Sequence, residues 1–226
     1  MRRMLLALTA LASLALPSTQ VTAKPNWLAA VAVTDAGSHL LGNPAAPVRV
    51  VEYLSYTCPH CAHFHRDAEP LLRMGYVQQG KVAVEVRPLV RDQVDLTVAL
   101  IAGCGDKSRF VRNHDLFMRS QDRWLKAASE ASTSQQQRWS NGPMVDRLRS
   151  IAADLGFYTM MEPRGYNRVA IDHCLADQAA IQRLTALRQS ALDAGVRGTP
   201  SFSVNGELMD EIHDWPGLDA AIRAKL

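Results

Sequence analysis

Residues 48–55 read Val-Arg-Val-Val-Glu-Tyr-Leu-Ser, a β-branched and aromatic run that predicts a buried strand. Tyr56 and Thr57 turn the chain, and residues 58–74 follow with helical spacing. Pro59 stands at the first helical position, where its missing N–H costs nothing. Residues 81–88 alternate and predict a second strand, parallel to the first across the helical crossover. From about residue 94 to residue 176 the pattern is helix after helix. A short apolar segment covers 94–103, and 109–124 carries Phe110, Val111, Leu116 and Phe117 at helical spacing. Pro143 opens a helix that Gly156 closes, and another short helix spans 166–176. Residues 127–142, rich in Ala, Ser and Gln, are expected to form a low-complexity loop. A long helix over 177–194 places Ile181, Leu184, Leu187, Ala191 and Leu192 on one face. A loop, Pro200 and a strand follow to Val204, Asn205-Gly206 gives a strong hairpin signal, and a helix runs from about 215 to 225. Residues 24–43 are a mixed lead-in in which no element is predicted.

The chain has 226 residues, of which 47% are hydrophobic, enough for one good core and an insertion. Its first residues stand apart from that core. Arg2 and Arg3 precede an apolar run over 4–16 that is too short to span a bilayer as a finished helix. Val21-Thr22-Ala23 fits a small-residue cleavage site, so residues 1–23 read as a signal peptide for Sec export, with an uncleaved N-terminal helix as the alternative. Two of the three net positive charges are those arginines, which leaves +1 on the rest of the chain and no basic run. A nucleic-acid partner has no electrostatic support. Four cysteines in an exported chain form an even set where disulfides persist. Cys58 and Cys61 are a tight pair, whereas Cys104 and Cys174 lie far apart.

The chemistry is expected at Cys58-Pro59-His60-Cys61. Cys58 falls at a helix N-terminus, where free N–H groups and the helix dipole favour the thiolate, the reactive form in disulfide exchange. A protonated His60 adds a second positive influence. A lone C-x-x-C is shared with zinc knuckles and structural disulfides, so its context at a strand-to-helix junction matters. Thr199-Pro200, opening a strand after a Gly-containing loop, points to a cis peptide packed beside the cysteines, with Thr199 available to pair its backbone with an extended substrate. An ordinary trans turn is the alternative. Glu52 lies in the middle of an apolar strand, where a charge is expensive, and is expected to have a raised pKa and to relay protons for Cys61. Its bland alternative is an ion pair with Arg49 or Arg87. His63 and His65 bring zinc to mind by residue type, but with Cys61 they fall on different faces of one helix, and no metal site is assigned.

Over residues 44–226 the order of elements and two segments, residues 51–61 and 198–206, resemble DsbA-like periplasmic thiol–disulfide oxidoreductases of the thioredoxin superfamily. The resemblance implies an α/β thioredoxin fold with an inserted all-helical domain: 24–91 and 177–226 forming the thioredoxin part, 92–176 the insertion. It implies that Cys58 is the exposed nucleophile, that Cys61 is the shielded resolving thiol, and that Glu52 serves as the relay acid. Pro59-His60 matches strongly oxidising members, whereas Thr199 before Pro200 is similar to isomerase-type relatives. Pairs like Cys104 and Cys174 occur in some related proteins, and a disulfide there is expected to be a structural staple rather than a second redox pair.

The expected activity is introduction of disulfides into exported, cysteine-containing proteins by a periplasmic monomer. A DsbB-like membrane quinone reductase would reoxidise it, and no organic cofactor is needed because the cysteines are the redox group. The alternatives are an isomerase or reductase kept reduced by another membrane partner, or a non-enzymatic chaperone or metal handler. The expected dimerisation domain of such isomerases would not fit in the twenty or so residues before the first strand.

Overall fold

The computed structural model describes residues 25–226, so the expected signal peptide lies outside the described residues. Six strands form one mixed sheet in the order β1-β2-β4-β3-β5-β6. Its centre is the predicted pair, β3 (Val48–Leu54) and β4 (Val82–Pro88), which run parallel as expected. β5 (Ser201–Val204) pairs antiparallel with β3, and a two-residue β6 (Glu207–Leu208) completes the hairpin. At its tip Asn205 and Gly206 both have positive φ, 50° and 86°, the conformation a tight hairpin turn requires.

Two strands arise from the lead-in that carried no prediction. β1 (Val31–Val33) and β2 (His39–Gly42) form a hairpin, and β2 continues the sheet antiparallel to β4. Each is too short to show an alternating pattern, and their turn is held by Thr34 and Ser38 side chains.

The alternation of β3 divides the core. Val48, Val50 and Leu54 face a layer containing Phe64 and Leu72 of the two helices that follow Cys58, and Leu218 and Ile222 of the last helix. Val51 and Tyr53 point the other way, against Ala191 and Val196. Burial of such aliphatic side chains stabilises by roughly 1.5–3 kcal/mol each.

The redox helix is shorter than predicted. α1 spans Pro59–Asp67 and α2 spans Glu69–Leu72, followed by a wide π turn over Arg73–Val77. Pro70 explains the break, because it has no N–H to return to the carbonyl four residues earlier. Between β4 and the long helix α10 (Gln178–Asp193) the chain is helical: α3 (Gln93–Ala102), α4 (Phe110–Arg119), α5 (Gln121–Ser129), α6 (Thr133–Ser140), α7 (Met144–Asp154), α8 (Phe157–Met161) and α9 (Arg168–Leu175). The expected helix over 109–124 is two, parted at Ser120, whose hydroxyl donates to the Leu116 carbonyl. Gly156 does close α7, at φ 71°. α11 (Trp215–Arg223) ends the fold.

The expected loop over 127–142 is corrected. Residues 133–140 form a helix, capped by reciprocal Ser132 and Gln135 bonds. Arg138 and Trp139 both donate to Asp154, docking α6 on α7. A polar composition concealed a helix whose anchorage is polar.

Candidate active site

Cys58 is the N-cap of α1, with extended φ and ψ of −94° and 115°, and Pro59 is the first helical residue. Both thiols are free in this structure; Cys61 is completely buried, as expected of a shielded thiol, whereas the expected exposure of Cys58 is corrected, because it too is buried, with Thr199 against its sulfur. Their environments differ in sign. Cys61 donates a hydrogen bond to the Cys58 sulfur; with Thr199 and the Cys61 and His60 amides, it overcomes burial and holds the Cys58 thiol down to about 5. Cys61 is pushed well up, by burial first and then by the same bond to Cys58. The two sulfurs are thus a thiolate and a reluctant thiol.

The Thr199–Pro200 peptide is cis and lies against this pair. When protonated, the Cys58 thiol donates to the Thr199 carbonyl at 3.2 Å, a bond given up on ionisation. Among the described residues the buried Thr199 hydroxyl has no other hydrogen-bond partner, which leaves it to the Cys58 sulfur. Behind the loop, His213 Nδ1 donates to the Pro200 carbonyl at 2.8 Å, a support the sequence reading missed.

The turn before Cys58 is gripped from the helical insert. Asp95, fully buried in α3, accepts from the Ser55 hydroxyl at 2.6 Å, the Tyr56 N–H at 2.8 Å and the Arg91 N–H at 3.0 Å. Burial raises its carboxyl to about 6 against those bonds. Thr57 donates to Asp92 at 2.9 Å. His114 of α4 bonds the Tyr56 phenol at 3.0 Å, and its imidazole is held well below its usual pKa by burial. Gln121 of α5 donates through Nε2 to the carbonyls of Tyr56 and Cys58, at 2.6 and 2.9 Å. None of these residues stood out in sequence, because a polar residue in a helical segment looks like an ordinary surface position.

Glu52 is buried on the face of β3 that carries Val50 and Leu54. Its strand neighbours are Phe202 and Val86. Burial, with a smaller effect from Glu69, pushes its carboxyl up to about 8. It lines a cavity with Glu69, Arg73 and His114. The alternative pairing with Arg49 or Arg87 is corrected: both arginines bond Glu85, at 2.7 and 2.6 Å. Glu85 points to the opposite face of the sheet, with Ser38 as its third partner. Burial works against its charge, but Arg87, Ser38 and Arg49 outweigh burial and hold its carboxyl below the usual range.

The remaining expected residues are dispersed. The His60 ring is exposed in a groove shared with His63, Phe64, His213 and Trp215; among the described residues its recorded link to Cys58 is its backbone N–H. His63 pairs with Asp67 at 3.2 Å, whereas His65 is buried and bonds Asp115 of α4 at 3.1 Å, so the two point apart. Cys104 and Cys174 are joined by a disulfide, Cα–Cα 5.6 Å, that ties the end of α3 to α9.

Comparison with known proteins agrees with this architecture. The thioredoxin family model matches residues 34–224. A putative protein-disulfide oxidoreductase of Rickettsia bellii is 30% identical over 83% of this chain and 64% of its own length. Another, of Rickettsia felis, is 33% identical over 76% of this chain and 54% of its own. The chain therefore spans under two thirds of these curated relatives. A solved protein-disulfide isomerase from Novosphingobium aromaticivorans is 47% identical, covers 84% of this chain and 97% of its own, and superposes with a TM-score of 0.80. Wolbachia pipientis alpha-DsbA1, 22% identical with 83% and 89% coverage, shares the fold at a TM-score of 0.63. The chain belongs to the thioredoxin family, with a helical insertion between β4 and α10.

Proposed function

We propose that this protein is a thiol–disulfide oxidoreductase that passes the Cys58–Cys61 disulfide to cysteine-containing exported proteins. One observation carries the reading: Cys58 caps α1 with the buried Cys61 three residues on, and the cis Thr199–Pro200 peptide lies against the pair, an arrangement that favours a thiolate at Cys58 and a thiol at Cys61. In the oxidised enzyme a substrate thiolate attacks Cys58, the bond between Cys58 and Cys61 breaks, and Cys61 leaves and takes up a proton. Glu52 is the relay acid for that proton. A second substrate thiolate then attacks the substrate sulfur of the mixed disulfide and expels Cys58 as a thiolate. The substrate loses two electrons and the enzyme gains them. Because Cys58 is a good leaving thiolate, the reduced enzyme is favoured and its disulfide is a strong oxidant. Thr199 and Pro200 form the wall on which an extended substrate lies, and Cys104–Cys174 serves structure. A periplasmic location and reoxidation by a DsbB-like membrane quinone reductase complete the reading.

Equilibration with glutathione buffers tests it. A potential well above the thioredoxin range, lost in Cys58→Ser, is the expected result; a thioredoxin-like value would rule out the oxidase. A second reading, disulfide isomerisation, is favoured by the relative from Novosphingobium, which is described as an isomerase, and by Thr199. Turnover of a scrambled multi-disulfide substrate by the reduced protein would move the assignment there.

A further inference from the structure

Every polar group of Tyr56, two residues before the nucleophile, is taken by a different helix of the insert. Its N–H goes to Asp95 of α3, its phenol to His114 of α4 and its carbonyl to Gln121 of α5. Gln121 alone reaches the nucleophile itself, through the Cys58 carbonyl. Its side chain is fully buried, and among the described residues its Oε1 has no hydrogen-bond partner. A buried acceptor left unmatched costs free energy, so the amide is held there for its two donated bonds. The break at Ser120 aims it, because Gln121 is the first residue of the new helix. The Cys58 carbonyl also accepts the first bond of α1, from the Ala62 N–H at 3.3 Å.

We propose that Gln121 is a positioning residue for disulfide exchange, through which the helical insert fixes the Cys58 peptide and so aims its sulfur at the N-terminus of α1 and at Thr199. This deepens the redox reading of the site and rests on it. The amide does so in two ways. Bonding both carbonyls holds the backbone torsions on either side of Thr57, which fixes the direction of the Cys58 Cα–Cβ bond from which the sulfur hangs. Its N–H groups also offset the partial negative charge of the Cys58 carbonyl beside the developing thiolate. The insert is thereby part of the redox machinery, and Gln121 is its point of action.

The test compares Gln121→Met and Gln121→Glu with the unchanged protein. Cys58 ionisation is followed by ultraviolet thiolate absorbance, the Cys58–Cys61 potential by glutathione equilibration, and folding by thermal unfolding. Gln121→Met removes the donors at similar volume. It is expected to raise the Cys58 pKa by half a unit or more, about a threefold smaller thiolate-to-thiol ratio near pH 5, with a less oxidising potential. Gln121→Glu brings a carboxylate to the two carbonyls and is expected to shift both readouts further the same way. A lowered melting temperature with unchanged pKa and potential in either folded variant would reduce Gln121 to a structural contact and overturn the proposal. If both variants fail to fold, the unchanged protein still decides: the Gln121 side-chain amide protons should be protected from solvent exchange and shift between oxidised and reduced states, and rapid exchange would overturn it. An unchanged protein that does not exchange disulfides with glutathione would overturn the redox reading itself, independently of Gln121.

Discussion

Cys58 and Glu52 depart from their ordinary ionisation in opposite senses with respect to charge. The Cys58 thiol is lowered to about 5 from an unfolded value near 9, so the folded reduced chain binds fewer protons than the unfolded one between those values. Its contribution to the stability of the reduced protein is present above about 9 and is lost as pH falls through about 5. The disulfide form has no such thiol. Reduced protein is therefore expected to gain stability relative to oxidised protein as pH rises from 5 to 9, measured by denaturant unfolding of both states. Glu52 works the other way. Its carboxyl is raised to about 8, so the stability of its neutral form is fully present below about 4.5 and is lost as pH rises through about 8. Glu52→Gln, which keeps the shape and removes the ionisation, is expected to flatten the fall in melting temperature between pH 5 and pH 8. It should also slow release of Cys61 in stopped-flow exchange. An unchanged pH profile of stability would show that Glu52 ionises without penalty.

The elements differ in how plainly their residues announce them. β3 and β4 were legible because apolar β-branched runs have few other uses, and Cys58, Cys61 and Pro200 because their motifs are rigid. The helix over 133–140 was not, because Gln, Ser and Arg give no apolar stripe; its one readable mark was the Ser132 and Gln135 pair at capping distance. The short hairpin of β1 and β2 offered too few residues for any period to appear. Pro70 was readable, and it marks the place where α1 gives way. Asp95, His114 and Gln121 were illegible for a different reason: their partners lie in the turn over residues 55–58, far away in sequence, and bonds to its backbone and to the Tyr56 phenol leave no pattern in either segment. Asp154→Ala separates the polar anchorage of α6 from the rest of the insert. It deletes bonds from Arg138 and Trp139, and hydrogen exchange is expected to report lost protection in residues 133–140 with α7 largely unaffected. The cost in global stability should be near 1 kcal/mol.

At the scale of the molecule, the Cys104–Cys174 disulfide closes a loop with a sequence separation of 70 and encloses most of the insert. Replacing both cysteines by serine is expected to destabilise the protein by about 2–4 kcal/mol, measured by denaturant unfolding with Cys58–Cys61 held in one redox state. The Cys58 pKa should move little, because the bridge lies outside the grip on Tyr56.

That grip has a bearing on how the chain comes into being. Cys58 and Cys61 leave the ribosome early together with the amides at the start of α1, but two other groups of the site follow much later: Gln121 lies 63 residues beyond Cys58, and Thr199 lies 141 residues beyond. A nascent chain that stops short of β5 lacks Thr199 beside Cys58. The site is therefore complete only after nearly all of the polypeptide has emerged. On the proposed function, a protein that makes disulfides in other unfinished chains thus lacks part of its own site while it is itself unfinished.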